Sequence, residues 1–216
     1  MKLIAKDVNE PSVFIQWRKE GGWNASDPKN NPKAFKLKQE IKVLLLKEQG
    51  FICCYCEERI TEDNMSSHIE HLLPKGNPSF AHLTSSYSNL LCSCNSESSC
   101  GKTKKNSTIK ITPLIQNCEN FFTYSYNGEI EGINHDASET IDILNLKSER
   151  LKWTRFKMIE TFLNMEELTS MTSLSEYDNW VQFFLEKYDK EFFIPFWSMM
   201  KWLADDYRCC FESKSS

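Results

Sequence analysis

Cys53-Cys54-Tyr55-Cys56, then His68-Ile69-Glu70-His71-Leu72-Leu73-Pro74-Lys75, then Ser88-Asn89-Leu90-Leu91, then Cys94 and Cys100-Gly101 stand in this order between residues 53 and 101. Cys53 and Cys56 form a C-x2-C pair, the spacing at which one tight turn presents two thiolates to a single Zn²⁺. Alone, such a pair also fits chance or buried thiols in a chain with nine cysteines. The second pair decides the reading. Cys94 and Cys100 sit in a polar stretch with Ser93, Asn95, Ser96, Glu97, Ser98 and Ser99, which offers no apolar reason to bury a thiol. We therefore expect Cys53, Cys56, Cys94 and Cys100 to ligate one structural Zn²⁺, closed by four thiolates and so without an open position for chemistry. Cys54 and Cys92 are reserves beside these ligands. Cys118, Cys209 and Cys210 read as buried or incidental thiols.

The chain has 216 residues, 40% hydrophobic and 26% charged, ordinary values for a globular protein with a core. Seven glycines speak against a Gly-rich phosphate loop. The longest apolar run, Phe51–Cys56, is far too short to span a bilayer. The first residues, Met1-Lys2-Leu3-Ile4-Ala5-Lys6-Asp7, do not read as a signal peptide. The expectation is a cytoplasmic protein with no membrane partner, whose cysteines bind metal rather than form disulfides. Net charge is -4, but unevenly placed. Residues 1–110 hold 16 Lys+Arg against 12 Asp+Glu, a net of +4; residues 111–216 hold 10 against 18, a net of -8. The basic excess shares the half that carries most cysteines and histidines, so a local phosphate-binding face remains compatible with an acidic chain. A solvated lysine run is the plainer alternative.

Around this segment the chain reads as mainly helical. The sequence predicts helices over 13–19, 33–49, 139–144, 148–165, 175–187 and from Pro195 to about Arg208. Gly50 stops the second. Phe121–Tyr126, Asn127-Gly128 and Glu129–Glu131 predict a hairpin. Three stretches follow: 1–50, an N-terminal segment and helix packed on the core; 51–110, the metal-organised core; and 111–216, a hairpin plus an acidic, aromatic-rich helical region. Its aromatics read first as a helical core, with a partner interface as the alternative.

The order C-x2-C, Ile69-Glu70-His71 with Pro74 behind it, Asn89-Leu90-Leu91, then Cys94…Cys100…Lys105 resembles the HNH endonucleases. Gln49–Glu57, Pro74-Lys75, Ser88–Leu91 and Ser93-Cys94-Asn95 bring the likeness nearest to the PtuB branch, the HNH component of Septu-type and retron-associated anti-phage systems. The resemblance covers roughly residues 40–110. It implies an α+β fold, with a ββα-metal nuclease core and zinc knuckles embedded in a mainly α-helical protein. It implies that His71 is the general base for a metal-dependent DNA hydrolysis, that Glu70 ligates Mg²⁺ or Mn²⁺, and that Asn89 fixes the loop and orients His71. Lys75, Lys102, Lys104 and Lys105 would hold the DNA backbone. Where many HNH enzymes place a second metal ligand, this chain has Gly101. Asn95, Asn106, His68 or water is then left to fill the position, and Asn95 is favoured. Implied partners are DNA, a PtuA-like ABC-type ATPase docked on the helical half, and a retron reverse transcriptase with its RNA–DNA product.

Singly, His71 also fits a hydrogen-bonded core histidine, Glu70 a surface carboxylate and Asn89 a turn residue. Their occurrence together between two cysteine pairs favours chemistry. The competing function is a zinc-stabilised module that binds nucleic acid or protein without cutting it. A deaminase-like zinc enzyme is disfavoured, since it needs an open zinc. His82 and His135 have no such company and read as structural or surface residues.

Overall fold

Three helices precede the cysteines: α1 (Ser12–Lys19), α2 (Gly22–Ala25) and α3 (Pro32–Glu48). In the computed structural model, which describes residues 1–212, α3 is the main scaffold beneath the site. The Asn31 side chain accepts from the Ala34 N–H and Pro32 takes the first turn, a pairing of cap and fixed φ that starts a helix cleanly. Gly50, with φ of 62°, ends it in the left-handed conformation that costs glycine least. Ile41, Leu45 and Leu46 are fully buried, and this face packs on the second strand of a short hairpin.

That hairpin is β1 (Ser67–His71) and β2 (Leu90–Cys94), antiparallel, with Ser67 opposite Cys94 and His71 opposite Leu90. All five β2 residues are buried, which is why the strand reads as a continuous apolar and thiol run rather than an alternating one. Gln49, just past α3, lies beside β2. Its amide accepts from Cys92 N–H at 2.6 Å and donates to the Cys92 carbonyl at 2.9 Å, completing a rung of pairing with a side chain. After β2 the chain turns through Cys100, itself at φ of 62°, into the single-turn helix α4 (Gly101–Lys104). Two strands followed by a helix thus surround the motif region.

A second hairpin follows, β3 (Phe122–Tyr124) and β4 (Ile130–Gly132). It is shorter than the sequence predicts because the turn already begins at Ser125, whose carbonyl accepts from Gly128 N–H at 2.8 Å; Gly128 takes φ of 83°. Arg155 is buried and donates to the Gly128 and Leu146 carbonyls, tying this turn to the helical layer. That layer contains α5 (His135–Leu144), α6 (Glu149–Leu163), α7 (Glu166–Ser170), α8 (Leu174–Leu185), α9 (Trp197–Tyr207) and α10 (Cys209–Glu212). Phe162, Tyr177, Trp180, Phe184, Tyr207 and Phe211 stack among themselves there, whereas Trp153, Phe183 and Tyr188 are exposed. The last long helix starts at Trp197, two residues later than Pro195 suggests. Phe196 is left-handed, and Glu57, beside the first cysteine pair, accepts from Ser198 N–H at 2.7 Å and from its hydroxyl at 2.6 Å. A carboxylate on a helix N-terminus satisfies orphan donors and the dipole together. Buried side chains from 1–50, 51–110 and 111–212 join in one core. No described helix is long and apolar enough to cross a membrane.

Gln49→Ala is expected to leave the buried Cys92 N–H without this acceptor, at a cost of about 1–3 kcal/mol. Urea denaturation of the variant checks this, and a loss under about 0.5 kcal/mol would contradict the rung.

Candidate active site

The four cysteines singled out by spacing converge. The Sγ atoms of Cys53, Cys56, Cys94 and Cys100 all lie within 4.8 Å of one another and all four residues are buried. Cys56 and Cys94 are 3.8 Å apart, and Cys53 Sγ accepts from Cys94 N–H at 3.3 Å. Tetrahedral thiolates at a Zn–S distance of about 2.3 Å place neighbouring sulfurs about 3.8 Å apart, so the donor set and spacing fit such an ion. Thiolates this close need a cation between them, since like charges repel in a buried site. Cys54 and Cys92 are buried outside the cluster, Cys118 donates to the Met1 carbonyl, and Cys209 and Cys210 are exposed.

Glu70 lies on β1 and is held by residues that neighbour these cysteines. Tyr55, inside the C-x2-C turn, donates its hydroxyl to Glu70 Oε1 at 3.1 Å. Lys104, four residues after Cys100, donates to the same oxygen at 2.9 Å and to the His71 carbonyl at 2.9 Å. Burial pushes the Glu70 carboxyl up, but the His68 hydrogen bond and the Lys104 ammonium outweigh it and hold it below the usual carboxylate value. Burial raises the Tyr55 phenol well above its ordinary value, so it stays a donor. Lys104 is 0% exposed. This corrects the expectation that it grips a DNA backbone: its ammonium is enclosed with Glu70. Lys102 is exposed and pairs with Glu97 at 3.4 Å, and Lys105 and Lys75 are exposed.

His68 shares the Glu70 face of β1, as the period-two alternation of a strand requires. Its Nε2 lies 3.3 Å from Glu70 Oε2, and its Nδ1 lies 2.7 Å from Asn95 Oδ1. Asn95 Nδ2 donates to the Asn64 carbonyl at 2.6 Å, which fixes the amide so that its oxygen faces the imidazole. His68 Nδ1 therefore carries the proton. In the neutral ring Nε2 is then a bare lone pair facing a carboxylate oxygen, an arrangement that demands a proton or a metal ion between them. Both Asn95 groups are engaged behind His68 rather than beside Glu70, and Asn106 packs against Gly76. Gly101 explains itself here: a Cβ on it would sit 2.7 Å from Glu70 Oε2 and 2.9 Å from His68 Nε2. The position where a ligand was sought is one where the backbone itself approaches the pair.

His71 takes other partners. Its Nε2–H donates to the Thr84 carbonyl at 3.0 Å; a carbonyl only accepts, so Nδ1 is the free acceptor. Burial lowers its pKa to about 4, against the raising effect of the Thr84 bond and with a further lowering by Lys75, so the ring is neutral at pH 7. The Trp23 ring meets it edge-on at 4.4 Å. Asn89 secures the connecting loop: Oδ1 accepts from Leu73 N–H at 2.7 Å, and Nδ2 donates to the Leu73 and Leu83 carbonyls at 3.0 and 3.3 Å. It thereby holds the chain next to Thr84, and through Thr84 the His71 tautomer. His82 and His135 are exposed. His135, Asp136 and Glu139 cluster at the surface, where Lys110 pairs with both carboxylates. Sequence reasoning missed Tyr55, Trp23 and Thr84 and gave Lys104 another role; of the three missed, only Tyr55, set between the C-x2-C cysteines, carried a positional signal.

Lys104→Met is expected to destabilise the chain by about 3–5 kcal/mol by stranding a buried carboxylate. Adding Glu70→Gln should recover part of that loss in a double-mutant cycle of chemical denaturation, and strict additivity would refute the pair. Elemental analysis should find about one zinc per chain, absent from Cys100→Ser along with a lowered melting temperature; full zinc retention would refute the four-cysteine site.

No family model matches the chain. Among curated proteins, it is 32% identical over 133 residues to the inferred HNH endonuclease of retron Vc95 from Vibrio cholerae serotype O1 biovar El Tor. The match takes in 56% of this chain and 64% of that relative, so the chain spans a little under two thirds of the relative's length. This likeness and the order of the motifs support the same family, the HNH endonucleases.

Proposed function

We propose that the chain is a metal-dependent HNH endonuclease that hydrolyses DNA phosphodiester bonds, with His71 as general base. The observation that carries this is the pairing of His68 Nε2 with Glu70 Oε2 at 3.3 Å on one face of β1, next in sequence to a neutral histidine with a free Nδ1. Cis ligands of an octahedral Mg²⁺ at about 2.1 Å stand about 3 Å apart, so the pair suits a hard divalent cation. We assign His68 as the second protein ligand, with Asn95 orienting it from behind, in preference to Asn95 itself. Such a cation, when bound, stabilises charge on the phosphate and leaving oxygen. His71 Nδ1 takes the proton of the attacking water. Lys104 and Tyr55 keep Glu70 aimed, and Asn89 keeps the His71 loop in register. The cysteine cluster holds Zn²⁺ as a structural ion.

The retron context of the Vibrio relative supports a role in bacterial anti-phage defence. In that setting a PtuA-like ABC-type ATPase and a reverse transcriptase with its RNA–DNA product are the proposed partners, and the acidic helical region is the proposed ATPase dock.

The test is cleavage of supercoiled plasmid with Mg²⁺ or Mn²⁺, with the ATPase partner added if the isolated chain is silent. His71→Ala should lower the rate about 10²–10⁴-fold. Asn95→Ala should raise the metal concentration needed for half-maximal cutting about 10–100-fold, and His68→Ala should raise it further. Cleavage that survives His71→Ala would leave the zinc-stabilised binding module as the better reading.

A further inference from the structure

A groove of about 350 Å³ opens between α3 and β1, and His68 forms part of its wall. Trp23, Phe35, Lys38, Lys42 and Lys75 also line it. Three lysines around one groove repel one another, and their partners differ. Lys42 is buried, and its ammonium donates to the Glu62 and Ser67 carbonyls at 2.9 Å and to Asn64 Oδ1 at 3.1 Å. It is fully engaged with neutral oxygens. Lys38 and Lys75 are not. Their ammonium groups lie 3.7 and 4.6 Å from the Trp23 ring centre, and among the described residues neither has a carboxylate within ion-pair distance. Two cations against one aromatic ring, with no carboxylate in ion-pair range, thus stand beside a groove that runs to His68.

We propose that Lys38 and Lys75 form a phosphate clamp that seats the DNA backbone next to the phosphate being cut. This rests on the nuclease reading above and adds to it a subsite built largely from the N-terminal helices. The groove has the volume of a small-ligand site, enough for one nucleotide unit. Trp23 couples it to the base, since the ring that carries the two ammonium groups also meets His71 edge-on. Ammonium groups act on phosphate as mobile point charges, so both leave the ring for the anion when DNA enters.

The test measures binding of a labelled duplex by fluorescence anisotropy over a salt series, in the full chain carrying His71→Ala so that the probe stays intact. Lys38→Ala with Lys75→Ala should weaken binding at least tenfold at moderate salt. The slope of log K against log salt should become shallower by about 1–2, roughly 0.9 for each phosphate no longer neutralised. Lys38→Arg with Lys75→Arg should stay within about threefold of the parent, because charge is retained. An unchanged slope in the alanine pair overturns the clamp but leaves the nuclease reading standing, because plasmid cutting by the wild type is scored separately. Equal loss in the arginine and alanine pairs, or no duplex binding by the parent, also overturns it.

Discussion

Four thiols from three separated segments meet in one buried cluster, and the candidate site hangs from that junction. Both donors to Glu70 Oε1 are near neighbours of a cysteine in the chain, and so is the glycine that leaves room for Oε2. Tyr55 stands between Cys53 and Cys56, and Gly101 and Lys104 follow Cys100. Cys94 ends the strand paired with β1. A segment of this size has little apolar surface with which to fix a carboxylate. An ion bound there would add its binding free energy to the order of this junction. Geometry around Glu70 is then inherited from the cluster, through a phenol, an ammonium and a glycine backbone.

Part of this was legible. The C-x2-C pair and the polar loop around Cys94 and Cys100 announced the cluster, because local spacing and local polarity carry that signal. The hairpin at Asn127-Gly128 and the helix over 33–49 with its stop at Gly50 were likewise local. The HNH roles came from resemblance rather than from spacing. What stayed hidden was set by distant contacts. Lys104 reads as one of a surface lysine run until the fold lays it against Glu70, 34 positions away. Trp23 reads as an aromatic in an irregular segment until it reaches His71. The late start of α9 has no local cause, since Glu57 caps it from 141 positions away. The sequence left Asn95, Asn106, His68 or water for one position, and only the fold shows that the Asn95 amide bonds the His68 ring and the Asn64 carbonyl.

The two histidines of β1 are oriented oppositely by the same device. A carbonyl takes the Nε2 proton of His71 and leaves Nδ1 open; an oriented amide oxygen takes the Nδ1 proton of His68 and leaves Nε2 facing Glu70. Each ring is thus set by one neighbouring oxygen rather than by its own preference. Asn89 and Asn64 stand one step further back, holding the groups that make those choices.

The rung that Gln49 adds to β2 has a bearing on solubility. A two-stranded sheet has two open edges, and an open edge is a template for another chain. Cys92 turns its N–H and carbonyl away from β1, where the Gln49 amide meets both and Cys54 N–H donates to the same carbonyl at 3.0 Å. The outer side of β2 is therefore met along its length, by Gln49 and Cys54 at Cys92, by Lys6 at the Leu90 carbonyl and by Cys53 Sγ at the Cys94 N–H. Closing that edge denies a second chain the template it would need, and Gln49 does so from the end of α3.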